Sequence, residues 1–340
     1  MTEDPAARMR SHSIDLPAGR FHYLSWGAER TDLPGALLLH GITSSALSWV
    51  RVGPALAERY RVYALDMRGH GESIKPPPGN YSLRQAADDA LALIAELGLE
   101  RPVLIGHSWG GATAMVLASG VGSQQPVPAL SHVILEDPAH TFGRGDPEQR
   151  AAAYTRDIGR PAEELRVELA ASSPGWTAAD IEGKIDALHR VSREAVLSVF
   201  AEAGQDGDLL PLLSNIAAPT LLIRADPSLG SLLDEVAWEQ ARRYLPAHSR
   251  AVQIDGATHN IHRGMFDAFM HVVNAFLFER DVAEKRHARF GRRAFARAGP
   301  RSRLAVFLTT SRWERRRRGG LESGHHRAVR TDRLPDRPAD

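Results

Sequence analysis

The sequence predicts an α/β fold, a mostly parallel central sheet flanked by helices and interrupted by an all-helical insertion. Three observations predict it. Short apolar runs of about five to seven residues alternate with longer stretches at helical spacing, the pattern of βαβ units. Those runs are almost continuously apolar, as strands covered on both faces are. One stretch, 141–216, carries helical patterns only, and strands resume after it.

Taken in order, residues 20–26 alternate like a strand. GALLLH (35–40) and RVYALD (61–66) are buried strands, with helical spacing over 46–59 between them. Residues 81–97 form a helix with Leu83, Ala87, Leu91 and Ile94 on one stripe. PVLIGH (102–107) is a strand that runs into a small-residue helix over 109–119, and SHVILED (131–137) is the next strand. The insertion divides into helices over 147–157, 161–171, 177–191 and 193–203, punctuated by Gly143, Gly145, Pro161, Pro174, Gly175, Gly204 and Gly207. PTLLIRA (219–225) is a strand, 234–244 a helix, 250–255 a strand and 264–278 a closing helix. The expected organisation is a core over 1–140 and 217–279, the helical insertion at 141–216, and a tail over 280–340.

Composition narrows the function. The chain has 340 residues and no Cys, so disulfides, a Cys nucleophile and thiolate metal sites are excluded. No run approaches the ~18 apolar residues of a membrane span. The first 20 residues carry Glu3, Asp4 and Asp15 and lack the apolar stretch of a secretory signal, so a cytoplasmic protein with no membrane partner is expected. Charge is uneven: 280–340 holds 18 Lys and Arg against 7 Asp and Glu, while 1–279 holds 24 against 34. The tail has few apolar residues and is expected to be disordered. Its Arg315–Arg318 run alone would favour nucleic acid, which is not the expected partner.

Gly106-His107-Ser108-Trp109-Gly110 is a GxSxG match lying between a predicted strand and a predicted helix. A strand-to-helix turn that tight strains the Ser backbone and presents its hydroxyl at the carboxyl edge of the sheet, near a helix N-terminus. A Ser hydroxyl needs a base to become a nucleophile. His259 follows a strand and a short Gly-containing loop, which brings it to the same sheet edge; His262, at the helix start, is the alternative. His107 adjoins the nucleophile and should point into the structure. The base needs an acid to fix its tautomer. Asp226, directly after PTLLIRA, is taken first, with Asp137 and Glu136 at the end of SHVILED as alternatives. An oxyanion hole needs two N–H donors, expected from Trp109 and from Ile42 in the loop after the 35–40 strand, which His40 and Gly41 shape.

These residues resemble the α/β-hydrolase superfamily. The matching segments are LLLHGITSSALSW (37–49), ALDMRGHGES (64–73), LIGHSWGG (104–111), PTLLIRAD (219–226) and GATHNIHRGMFDAFMHVVNAFL (256–277), in the family's order and spacing over about 10–279. The resemblance implies that the DxRGxGxS loop braces the site, with Arg68 and His70 structural, and that 141–216 forms a lid. In one respect the chain departs from the pattern: the acid of many members stands in GxxD, and that position holds Ser228. Haloalkane dehalogenases and epoxide hydrolases of the family carry Asp as nucleophile, whereas Ser108 implies acyl chemistry. The expected function is therefore a carboxylesterase-like serine hydrolase acting through an acyl-enzyme on a small, largely apolar acyl substrate. It requires no metal or organic cofactor. Leu165, Leu169, Trp176, Leu188, Val196 and Phe200 are the insertion's apolar candidates for lid core or pocket. Alternatives on the same residues are a perhydrolase or haloperoxidase-like reaction, C–C bond hydrolysis, or a small-molecule receptor.

Overall fold

The computed structural model describes residues 8–143 and 145–278. The expected basic tail, 280–340, lies outside the described residues. Eight strands make one sheet in the order β1-β2-β4-β3-β5-β6-β7-β8. They are β1 Arg10–Leu16, β2 Gly19–Trp26, β3 Gly35–Leu39, β4 Arg61–Leu65, β5 Val103–His107, β6 His132–Glu136, β7 Thr220–Arg224 and β8 Arg250–Gln253. β2 is antiparallel to both its neighbours, and β3 to β8 pair in parallel.

Each central strand is buried on both faces, and its side chains alternate between two cores as the two-residue period requires. Leu37, Leu39, Tyr63, Leu65, Leu104, Val133, Leu135 and Leu222 face one core, shared with helices α2 (Leu83–Glu96) and α3 (Trp109–Ser119). Ala36, Leu38, Val62, Ala64, Ile105, Ile134, Leu221 and Ile223 face the other, with Phe269, Val273 and Leu277 of the closing helix at 266–278. α2 starts where the sequence says it should: Ser82 and Gln85 form a reciprocal capping box.

Two expectations change. The helix expected over 46–59 is a 3-10 turn, Ala46–Trp49, followed by the short helix α1, Val52–Leu56. Pro54 has no N–H to donate to a preceding helical turn, so α1 starts anew just before it, and Gly53 packs closely on the Trp26 ring. β1 is an additional edge strand, a hairpin partner of β2. Its half-exposed RSHSIDL carries too little apolar alternation to be read from pattern alone.

Between β6 and β7 come only helices: α4 Pro147–Thr155, α5 Ala162–Ser172, α6 Ala178–Arg190 and α7 Arg193–Ala203, then a 3-10 turn, Leu210–Asn215. α5 and α6 have a small core of their own, Leu165, Ile181, Ile185 and Leu188. α7 instead sinks Ala195, Val196, Val199 and Phe200 into the core on the α2 side of the sheet. Val196 and Phe200 thus belong to the main core, and Leu165 and Leu169 to the satellite one. The last helical elements are α8, Glu235–Tyr244, and the single turn α9, Ile261–Gly264, before the helix at 266–278. No helix among the described residues is long and apolar enough to cross a membrane.

Candidate active site

The loops leaving the carboxyl ends of β3, β5, β6, β7 and β8 carry all the candidate residues. The sheet order passes from β4 through β3 to β5, so the chain turns to opposite sides at β3, and crevices form at such switch points. Ser108 stands between β5 and α3 with φ 55° and ψ −117°, a left-handed conformation costly for a non-glycine residue. Gly106 and Gly110 make that bend possible. A Cβ on Gly106 would lie 2.3 Å from the Gly110 carbonyl oxygen, and one on Gly110 would lie 2.3 Å from the Leu39 carbonyl oxygen. Backbone bonds complete the turn: Ser108 N–H donates to Glu136 O at 3.0 Å, and Ala139 N–H donates to Ser108 O at 3.0 Å.

Ser108 and His259 line one cavity of about 190 Å³, together with Ile42, Thr43, Tyr154, Lys184 and Arg263. His259 Nδ1 donates to Asp137 Oδ2 at 2.7 Å, leaving Nε2 as the other face of the ring. Asp137 is fully buried and accepts three further bonds, from Ser231 Oγ (2.5 Å), Leu232 N–H (3.1 Å) and Ala225 N–H (3.2 Å). Such a lattice of donors fixes the position and orientation of the carboxylate.

Asp226, taken first as the acid, does not meet His259. Its Oδ1 accepts from Ser228 N–H (2.9 Å) and Oγ (2.7 Å), and its Oδ2 accepts from Gly256 N–H at 2.9 Å. The bonds from Gly256 and Ser228 hold its pKa below the ordinary aspartate value. It caps the turn after β7 and staples that turn to the loop that carries His259. Both of its carboxylate oxygens are committed to donors of these two loops, whereas Asp137, after β6, presents Oδ2 to the His259 ring.

Glu136, the third candidate, serves the scaffold. Its Oε1 accepts the His262 backbone N–H at 2.9 Å, and its carboxylate also accepts from His262 Nδ1 at 2.9 Å. His107 Nε2 donates to the His259 carbonyl at 3.0 Å, so its side chain points inward. His107, Glu136 and His262 bring ligand atoms within 4.8 Å of one another, a spacing a metal could use; His107 Nε2, His262 Nδ1 and the Glu136 carboxylate are engaged in the network just described, while His262 Nε2 has no hydrogen-bond partner. Burial pushes the histidines well below their ordinary pKa and raises Glu136. His262, the alternative base, is thus fixed behind the site, stacked on Trp49 with ring centroids 4.5 Å apart.

The loop after β3 closes a turn with Ser44 N–H donating to Gly41 O at 3.2 Å, a bond that does not use the Ile42 N–H. The Trp109 N–H, in the first turn of α3, has no intrahelical acceptor. His40 donates from Nδ1 to Gly41 O at 2.8 Å and accepts the Met67 N–H on Nε2 at 3.0 Å. His70 accepts the Thr43 N–H at 3.2 Å, and Arg68 forms a two-pronged pair with Asp89 at 2.6 and 2.7 Å. These contacts make His40, His70 and Arg68 parts of the frame.

Two cations in the cavity escaped the sequence reading. Lys184 of α6 donates from Nζ to Thr43 O (2.7 Å) and Oγ1 (2.9 Å); burial, then the charge of Arg263, lowers its pKa to about 7. Arg263 is only 1% exposed, donates to Ser44 Oγ at 3.1 Å, and lies 4.5 Å from the centroid of Trp176. Both positions were marked in the sequence. Lys184 shares a helical stripe with apolar Ile181, Ile185 and Leu188, and Arg263 stands four residues after His259. Of the six apolar candidates of the insertion, Leu188 lines the cavity.

Fold and site together define a hydrolase-type architecture. The family model of the alpha/beta hydrolase fold matches residues 37–263, and the chain belongs to that family. It is 28% identical to N-formylmaleamate deformylase of Pseudomonas putida over 264 residues, 76% of this chain and 92% of that protein. It is 39% identical to bifunctional epoxide hydrolase 2 of Sus scrofa over 110 residues, 32% of this chain, and so spans only 19% of that relative's length. The solved structure of E-2-(acetamidomethylene)succinate hydrolase superposes with a TM-score of 0.65 at 21% identity, over 79% of this chain and 99% of that one, a likeness of fold.

Proposed function

We propose that the protein is a serine hydrolase that cleaves a carboxylic ester or related acyl bond of a small molecule through an acyl-enzyme. The observation that carries this reading is the His259–Asp137 bond of 2.7 Å in a ring that shares a cavity with strained Ser108. Ser108 Oγ attacks the carbonyl carbon while His259 Nε2 takes its proton. Asp137 holds the Nδ1 proton and stabilises the imidazolium. The Ile42 and Trp109 N–H groups receive the developing oxyanion. His259 then protonates the leaving group, and water, deprotonated by the same ring, releases the acid.

A serine at 108 favours this over epoxide opening, the reaction named for the Sus scrofa relative, which the family performs with a carboxylate nucleophile. The deformylase's name supports an amide or formyl substrate as well as an ester. A fluorophosphonate probe tests the reading. It is expected to label wild-type protein on Ser108 and to leave Ser108→Ala unlabelled and without turnover, at unchanged melting temperature. Labelling at another residue, or turnover in Ser108→Ala, overturns it.

A further inference from the structure

Ile42, Tyr154 and Leu188 give the cavity an apolar part, and its other part is polar. Thr43, Ser44, Asn260, Asp157, Lys184 and Arg263 line it beside Ser108. The two cations come from different elements, α6 and α9, and converge on adjacent residues of one loop, Thr43 and Ser44. Three acids contribute to their surroundings: Asp157, which also lines the cavity, Asp180, whose buried Oδ1 has no hydrogen-bond partner, and Glu136. Asp157 pairs with Arg156 (3.0 Å) and Arg160 (2.7 Å), Asp180 accepts from Thr177 and Arg51, and Glu136 accepts from His262. Among the described residues no carboxylate lies within ion-pair distance of Lys184 or Arg263. The Arg263 Nε–H, wholly buried, has no hydrogen-bond partner there. One of the three Lys184 N–H groups remains after its two bonds to Thr43.

Holding two neighbouring cations at a cavity wall with no ion-paired carboxylate is costly, and a guanidinium and an ammonium that converge on one loop suit a planar anion. Burial depresses both groups, Arg263 to about 10 against the opposing pull of Asp180 and Glu136, and Lys184 to about 7 with the charge of Arg263 adding to it; an anion in the cavity would offset that cost.

We infer that Arg263 and Lys184 form a carboxylate-binding subsite, so that the acyl compound cleaved at Ser108 carries a second, ionised carboxyl group within a few bonds of the scissile carbonyl. This replaces the expectation of a largely apolar substrate. It rests on the serine reading for the identity of the scissile centre, while the anion site itself is testable without it. A cavity of about 190 Å³ suits a short-chain half-ester or half-amide of a dicarboxylic acid.

Phenyl hydrogen fumarate and phenyl crotonate share a trans four-carbon acyl chain and differ in a terminal carboxylate against a methyl. The ratio of their kcat/KM values is expected to fall at least about tenfold in Arg263→Gln and in Lys184→Met, the loss typical of one charge-assisted bond. Succinate binding to Ser108→Ala, followed by calorimetry, supplies an arm independent of turnover; succinate should bind at least about tenfold more tightly than succinamide. An unchanged ratio in both variants, or equal binding of the two ligands, overturns the subsite. If Arg263→Gln does not fold, Lys184→Met and the calorimetry decide. If succinate binds selectively but Ser108 is not labelled, the serine reading falls and the anion site stands.

Discussion

Asp137 and Asp226 follow neighbouring strands, both end an apolar run, and both precede a proline, yet one bonds the histidine and the other a glycine N–H. Their substitutions should therefore separate. Asp137→Asn presents an amide where a carboxylate must stabilise an imidazolium, and kcat is expected to fall by roughly 10³–10⁴-fold. Asp226→Asn keeps an acceptor for Ser228, and kcat should stay within about threefold, since the change is local to a partly exposed turn. Steady-state kinetics on one activated ester distinguishes the two, and a large loss in Asp226→Asn alone would restore that residue as the acid. The placement of Ser108, His259, Ile42 and Trp109 at one sheet edge was legible from local patterns: a Gly-flanked turn, strand ends and a helix start. The partner of the His259 ring had no such signature, because it is settled by a contact between residues 122 apart in sequence, absent from any short window.

The tight turn from β5 into α3 governs the next scale. Gly110 touches the backbone of β3, which cannot retreat without unpairing from β4 and β5. Gly110→Ala should therefore lose about 1–3 kcal/mol and lower Tm by roughly 3–10 °C, measured by calorimetry. An unchanged Tm would mean that the turn relaxes more freely than its contacts imply. Elements with strong periodicity, α2 and the central strands, were read within a residue or two. The 46–59 segment was not, because Gly53-Pro54 interrupts its helical spacing and splits it into a 3-10 turn and a short helix. β1 was missed because an edge strand wet on one side needs little apolar patterning.

Across the whole molecule, four fully buried histidines, His40, His70, His107 and His262, all have pKa values below the ordinary 6.5, with burial the leading cause. His40 is lowered to about 4 and His70 to about 3. Unfolding frees these rings to take up protons, so the unfolded state binds more protons below pH 6.5. The rings' contribution to stability is complete above that pH and is lost as pH falls through the 6.5 to 3 window. Denaturant titrations between pH 7.5 and 4 should show midpoints dropping with acid, with a shallower slope in a folded His70→Gln variant. A pH-independent midpoint would show that the rings titrate alike in both states. At this scale the layered sheet and the helical insertion were plain from alternating runs. The division of labour within the insertion was not, since α7 joins the main core and α5 and α6 keep their own through contacts distant in sequence.

The bonds from Lys184 to Thr43 tie the insertion to the turn that bears the Ile42 amide. Lifting α6 to admit a molecule would break both bonds at once and free that turn to drift from its working geometry. Entry and turnover then occupy separate moments of a cycle, and an ajar enzyme is a poorly aligned one. Water arriving through the open door meets a serine without its full complement of donors.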